Sequence, residues 1–376
     1  MAIINETHYT YRDLTILPGR NSLIEHRAEC NPFNQDGMLP LFTAPMDTVV
    51  GTGNFHKFYE NGIIPILPRT ESLEIRAKYA FDGYWSAFSL NEFEDIFCDE
   101  ENKKIFEGHT IKALIDVANG HMKKITKLVW TAKQIYGDRL EVMAGNIANP
   151  DTYVDYAIAG VDYIRCGVGA GFGCLSTSNT GVHMPMASLI DKVSEVKKKV
   201  KRWLAESPGS YKSIPKIVAD GGIRNYSDVI KALALGADYV MVGSIFASML
   251  ESAAPKMCNS EYDKPLIDYD NMYMRDNVWY LRSGGEKEHF LGEISAVFYG
   301  MASREGQIAM NGSKTKTSEG IKKIIPVKYT MAGWTENFKD YLRSAMSYVG
   351  ASTLEEFGEL AVLIVNSENA ISVVNK

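Results

Sequence analysis

Several things this sequence lacks narrow what it can be. No apolar run nears the ~20 residues that a membrane-spanning helix needs. The opening stretch "MAIINETHYTYRD" has no basic segment leading into an apolar one, so it does not read as a secretion signal. Cysteine is scarce: Cys30, Cys98, Cys166, Cys174 and Cys258 are odd in number, widely spaced and without a C-x-x-C pair. Neither a disulfide framework nor a zinc site is suggested. Positive charge is not in excess. A net charge of −6 argues against nucleic-acid binding by bulk electrostatics. The basic stretch "DKVSEVKKKVKRW" (191–203) reads as a solvated helix face. The expectation is a cytoplasmic protein bound to neither nucleic acid nor membrane. In that reducing setting a free thiol stays available for chemistry.

What is present is a repeating alternation. Short apolar runs recur at 39–46, 62–67, 85–90, 112–118, 140–146, 162–167, 215–222 and 238–244. They are nearly unbroken rather than alternating, as parallel strands covered on both faces should be. Between them lie helical patterns. "HMKKITKLVWTAKQIYGD" (121–138) puts Ile125, Leu128, Val129 and Ala132 on one face. "SDVIKALALGAD" (227–238) opens with Ser227 as N-cap and stops at Gly236. Eight such units predict an α/β fold, a TIM (β/α)8 barrel, as one domain over 1–376. A doubly wound sheet is the alternative.

Two connections exceed a simple crossover, and long loops of this kind are usually functional or disordered. One, about 167–185, reads "GVGAGFGCLSTSNTGVHMP". The other, about 246–330, holds a hairpin and flap at about 275–325: the hairpin turns at Gly284-Gly285, and the polar stretch after it (301–323) reads as a mobile flap, with plain surface disorder as the alternative. A barrel carries its active site on the loops that follow its strands. The last two strands end in "ADGG" (219–222) and "GS" (243–244). Backbone donors of Gly221, Gly222, Gly243 and Ser244 could hold a phosphate there, and the Asp220 carboxylate could take two ribose hydroxyls. Tight turns that merely need glycine are the plainer reading. Cys174 ends a loop too glycine-rich to pack as core, so its thiol is a candidate nucleophile. Cys166, inside "YIRCG", is a buried and inert one.

These segments, with "APMDTV" (44–49) and "FYGMAS" (298–303), resemble the IMP dehydrogenase/GMP reductase family over roughly residues 8 to 360. The resemblance implies a TIM barrel, usually a homotetramer, that acts on a purine nucleoside monophosphate with a nicotinamide cofactor. It implies that Cys174 attacks C2 of the purine and forms a covalent intermediate. Dehydrogenases then need an Arg-Tyr pair on the flap to activate water. This flap holds Arg304 but no such pair, and its lysines (Lys314, Lys316, Lys322, Lys323) are poor bases while protonated. "DVANG" (116–120), "AGN" (144–146) and "FYGM" are reductase-like, and 68–84 leaves no room for the regulatory CBS modules common in dehydrogenases.

The resemblance therefore implies a GMP reductase-type enzyme, turning GMP into IMP and ammonia with NADPH. The alternatives are an IMP dehydrogenase without CBS modules, using NAD, and a catalytically silent nucleotide-binding barrel. Ser176 and Glu319 would assist the leaving amine. Met301 and Ala302 would offer backbone groups to the purine edge. Asp116, Asn146 and Gly167 would line the cofactor side. Backbone carbonyls of Gly169, Gly171 and Cys174 would hold a monovalent cation such as potassium. One departure stands out: Phe172 replaces the serine that normally contacts phosphate two residues before the cysteine.

Overall fold

Eight parallel strands close on one another at the eight places where the sequence runs apolar. The computed structural model describes residues 4–105, 110–207, 209, 213–258, 271–283, 287–312 and 315–374. A first strand, β1 (Leu14–Leu17), lies outside the barrel. The wall consists of β2 (Leu41–Thr43), β3 (Ile66–Leu67), β4 (Trp85–Phe88), β5 (Ile111–Asp116), β6 (Leu140–Ile147), β7 (Tyr163–Cys166), β8 (Lys216–Asp220) and β9 (Tyr239–Val242). Around the wall the order is β2-β9-β8-β7-β6-β5-β4-β3. A parallel bridge between Phe42 and Ile64 closes it. Neighbours follow chain order throughout, which is a TIM barrel and excludes the doubly wound alternative.

The unbroken apolar runs have a direct cause. In β5, Leu114 points into an inner core with Phe42, Trp85, Met143, Tyr163 and Val218. Its neighbours Ala113 and Ile115 face the outer core beneath the helices. Both faces are buried, and a buried aliphatic side chain stabilises by about 1.5–3 kcal/mol. The helix Lys123–Tyr136 buries Ile125, Leu128, Val129 and Ala132, as their spacing predicts. The helix Tyr226–Ala234 begins earlier than expected. Asn225, in extended backbone, accepts the Asp228 N–H at 3.0 Å and is the cap, so Ser227 falls inside the first turn.

Beyond the wall the described residues form two three-stranded antiparallel sheets. β10 (Lys256–Cys258), β14 (Ile294–Tyr299) and β15 (Lys322–Pro326) make one, in the order β10-β14-β15. The expected hairpin is β12 (Val278–Ser283) with β13 (Lys287–Gly292), joined by β11 (Met272–Arg275) as a third strand. Its turn at Gly284-Gly285 lies outside the described residues, as does Lys314. The stretch expected as a mobile flap carries a helix, Arg304–Asn311, capped by Ser303 Oγ on the Gly306 N–H. It then enters β15. The helix Met331–Val349 completes the outer layer, and β16 (Val362–Val365) returns to pair with β1. Between β3 and β4 there is one helix, Leu73–Phe81, and no inserted module. Among the described residues, no helix is long and apolar enough to cross a membrane.

Candidate active site

Every residue that the sequence put forward lines one cavity of about 250 Å³ at the C-terminal mouth of the barrel. Asp116, Asn146 and Asp220 stand at the ends of β5, β6 and β8, and Gly167 and Gly243 directly follow β7 and β9. Gly169, Gly171, Cys174 and Ser176 come from the loop after β7. Gly221, Gly222, Ser244, Met301, Ala302 and Glu319 complete the mouth.

The nucleophile candidate sits in a chain of hydrogen bonds. Cys174 Sγ donates to Ser176 Oγ at 3.4 Å, and Ser176 Oγ donates to Glu319 Oε2 at 2.6 Å. Cys174 is partly exposed, whereas Cys166 is fully buried and burial pushes its thiol well up. Glu319 reaches the cysteine because its segment pairs with the cysteine loop. Leu175 N–H donates to Glu319 O at 2.7 Å and Ile321 N–H to Gly173 O at 3.0 Å, with Cys174 and Gly320 forming an antiparallel bridge. The approach needs glycine at 320, where a Cβ would stand 2.8 Å from Ser303 N and 3.2 Å from Gly173 O.

The opposite wall is ionic. Arg165 Nη1 donates to Asp116 Oδ1 at 2.6 Å, and its Nη2 and Nε reach Asp220 Oδ2 at 3.0 and 3.1 Å. Asn146 Nδ2 donates to the same Asp220 oxygen and to Gly167 O, each at 2.7 Å. Burial alone would lower the Arg165 pKa, but the two carboxylates outweigh it and hold the value above the ordinary one. Gly167, at φ +138°, lies where a Cβ would meet Asp220 O at 2.0 Å.

The geometry adds detail to several expected roles. For Asp220, the two ribose hydrogen bonds fall to a single oxygen with two lone pairs. Its Oδ2 serves Arg165 and Asn146, which leaves Oδ1. The Gly222 N–H does not await a phosphate, because it donates to Ala170 O at 2.9 Å. The Ala302 carbonyl accepts the Glu319 N–H at 3.0 Å and Gln307 Nε2 at 3.1 Å, so only its N–H is left for a base. The Gly169 and Gly171 carbonyls accept Thr177 Oγ1 and the Cys174 N–H. Each keeps one lone pair for a monovalent cation. Phe172 places a half-exposed ring on the cavity wall, 5.9 Å from the Phe298 ring and beneath Lys323 Nζ at 3.7 Å. Among the described residues no cluster of His, Cys, Asp and Glu could hold a metal ion.

The wall chemistry suits a nicotinamide. Among the described hydrogen bonds none uses Asp116 Oδ2 or Asn146 Oδ1, which are acceptors of the kind a carboxamide NH2 requires. Sequence reasoning assigned no role to three residues in or around this site. Arg165 is visible in "YIRCG", but its pairing with Asp116 and Asp220, 49 and 55 positions away, is not. Tyr299, within "FYGM", donates to Asp47 Oδ2 at 2.7 Å, and Asp47 lies within "APMDTV". Both motifs were visible, but their contact was not. His121 Nε2 accepts the Ala148 and Asn149 N–H groups at 3.0 and 3.2 Å and so ties together the loops after β5 and β6.

Comparison with known proteins identifies relatives of this chain. The IMP dehydrogenase / GMP reductase domain model matches residues 100–270. Inosine-5'-monophosphate dehydrogenase of Borreliella burgdorferi is 30% identical over 262 residues, covering 70% of this chain and 56% of that protein. Its counterpart in Chlorobaculum tepidum is 32% identical over 247 residues, 65% of this chain and 43% of that one. The chain thus spans about half the length of these dehydrogenases. GMP reductase of Bacillus licheniformis is 25% identical over 375 residues, with 96% of this chain and 97% of that protein covered. With the cysteine-loop barrel in place and a match running along nearly its whole length, the chain belongs to the IMP dehydrogenase/GMP reductase family.

Proposed function

We propose that this protein is a GMP reductase-type oxidoreductase that converts GMP to IMP and ammonia through a covalent bond between Cys174 and purine C2. The observation that carries the reading is the Cys174–Ser176–Glu319 chain. The thiol proton passes through Ser176 to Glu319, and the thiolate attacks C2. Glu319 returns that proton, again through Ser176, to the departing amine, which leaves as ammonia. NADPH, when bound, supplies the hydride that replaces the amine at C2. Re-formation of the purine double bond then expels the Cys174 thiolate and releases IMP.

The other groups bind and orient. Asp220 Oδ1 accepts from ribose. The Gly243 and Ser244 backbone, with Gly221, faces the phosphate, and Met301 and the Ala302 N–H meet the base. Asp116 Oδ2 and Asn146 Oδ1 take the carboxamide, beside Gly167. Potassium on the Gly169, Gly171 and Cys174 carbonyls would stiffen the nucleophile's loop. We assign the whole of 1–376 to one catalytic unit that works as a homotetramer in the cytoplasm. The match to GMP reductases over nearly their full length supports the reductase over the dehydrogenase. A panel of purine nucleotides with both cofactors, followed at the nicotinamide absorbance, tests the reading. NADPH oxidation with GMP is expected. NAD reduction with IMP would replace the reading, and nucleotide binding without any turnover would reduce the protein to a binder.

A further inference from the structure

Asp47 and Tyr299 stand just behind the cavity. Neither lines it, but each adjoins residues that do. Asp47 follows Met46 in the loop after β2, and that loop is pinned. Its Ala44 N–H donates to Val242 O of β9 at 2.9 Å. The Met46 carbonyl accepts the Val49 and Val50 N–H groups at 2.9 and 3.0 Å, and the Val49 carbonyl takes the Ala253 N–H at 3.1 Å and Asn54 Nδ2 at 3.0 Å. Asp47 is therefore an anchor on the barrel side.

Tyr299 belongs to the other side. It ends β14, and Gly300, Met301 and Ala302 of the lining come directly after it. Its strand partner is Lys322 on β15, which follows Glu319 and Gly320. The Ala302 carbonyl holds the Glu319 N–H at 3.0 Å, so the groups at 300–302 and Glu319 move as one piece. Described hydrogen bonds fasten this piece to the cysteine loop: Leu175 N–H to Glu319 O, Ile321 N–H to Gly173 O, Ser176 Oγ to Glu319 Oε2 and Lys323 Nζ to Phe172 O. Those contacts join one loop to another. The Tyr299 hydroxyl reaches past them to the anchor and donates to Asp47 Oδ2 at 2.7 Å, across 252 positions of sequence. Both side chains are partly buried, where a hydrogen bond is stronger than in water.

We propose that the Tyr299–Asp47 hydrogen bond is a latch that sets the docked wall against the barrel, which makes both side chains positioning residues for the groups facing the purine. The hydroxyl touches no reacting atom. It acts through Met301, Ala302 and Glu319, and so the proposal rests on the reading of those three as base contacts and proton donor. With the latch closed, Glu319 and the Ala302 N–H keep a fixed distance from Asp220 and Gly243 on the barrel. With it open, the piece drifts relative to them, and a misplacement of ~1 Å costs up to about 10² in rate.

Hydrogen exchange on the full chain without ligand tests the latch, and steady-state kinetics with GMP and NADPH tests its use. Tyr299→Phe removes the hydroxyl and keeps the ring. It should speed exchange at the Glu319 and Ile321 amides by about tenfold, the scale of one hydrogen bond, and leave the β5 and β6 amides and the thermal midpoint unchanged. The same variant should lower kcat/KM for GMP by about tenfold. Asp47→Ala should reproduce both effects, and Asp47→Asn, whose amide oxygen still accepts, should restore both. Exchange at Glu319 and Ile321 that stays at the wild-type rate in Tyr299→Phe overturns the latch. So does faster exchange spread evenly over the barrel, which marks a general loss of structure. Faster local exchange with undiminished kcat/KM overturns the positioning role. A wild type that turns over no GMP, together with faster local exchange in Tyr299→Phe, overturns the reductase reading and leaves the latch in place.

Discussion

Asp116, Asn146, Arg165 and Asp220 all stand on barrel strands, whereas Cys174 and Glu319 stand on loops outside the barrel wall. The first group is locked by ion pairs whose arginine is buried. It forms when the barrel forms. The second group meets only because residues 319–321 pair with the cysteine loop, bringing Glu319 onto Ser176 across 143 positions of sequence. One wall of the cavity is a product of folding, and the other is a docked contact. Changes in the first wall should therefore cost stability, and changes in the second should cost turnover alone.

The largest effects belong to the docked wall. Cys174→Ala should abolish turnover while GMP still binds in calorimetry. Glu319→Gln should lower kcat by about 10²–10⁴, the usual contribution of a general acid, with little change in thermal midpoint. Comparable loss of stability in Glu319→Gln would erase the distinction between the walls. Next is the ionic wall. Arg165→Met leaves two carboxylates without their cation and should destabilise by about 3–5 kcal/mol in denaturant titration, as breaking a buried pair does. Retention of full stability would show that the wall does not depend on the pair.

A smaller effect probes the docking itself. Gly320→Ala puts a methyl against Ser303 N and Gly173 O. It should reduce kcat by about tenfold, since a misplacement of ~1 Å costs on that order or more, and leave the unfolding curve nearly unchanged. The smallest effect concerns His121. Burial lowers its pKa below the ordinary 6.5, and a neutral Nε2 accepts two backbone N–H groups. Nδ1 then carries the proton and faces Asn119 Oδ1 at 2.9 Å. Its share of stability is complete above pH 6.5 and is lost as pH falls through the lower folded value. His121→Asn should flatten that slope in denaturant titrations run at several pH values.

The same comparison explains what the sequence disclosed. The barrel wall was legible because Ala113, Leu114 and Ile115 are all buried, so the strand reads as an unbroken apolar run. The helix face from Ile125 to Ala132 was legible for the matching reason of period. Cys174 could be singled out by its glycine-rich surroundings, but Ser176 and Glu319 rested on kinship, because no local pattern signals a contact 143 residues away. Hydrogen-bond allocation was not legible at all. That Gly222 gives its N–H to Ala170, or that Asp220 spends one oxygen on Arg165 and Asn146, depends on how separate loops pack. The Asn225 cap was missed for a smaller reason, since both Asn225 and Ser227 are capping residue types and backbone geometry chose between them.

The central claim is a bond between the Cys174 sulfur and a purine carbon, and peptide mass spectrometry tests it most directly. Protein held with GMP and no NADPH, quenched in acid and digested, should carry the nucleotide, less ammonia, on the peptide that contains Cys174. Turnover with that peptide always unmodified, or the added mass found on Cys166, would contradict the account.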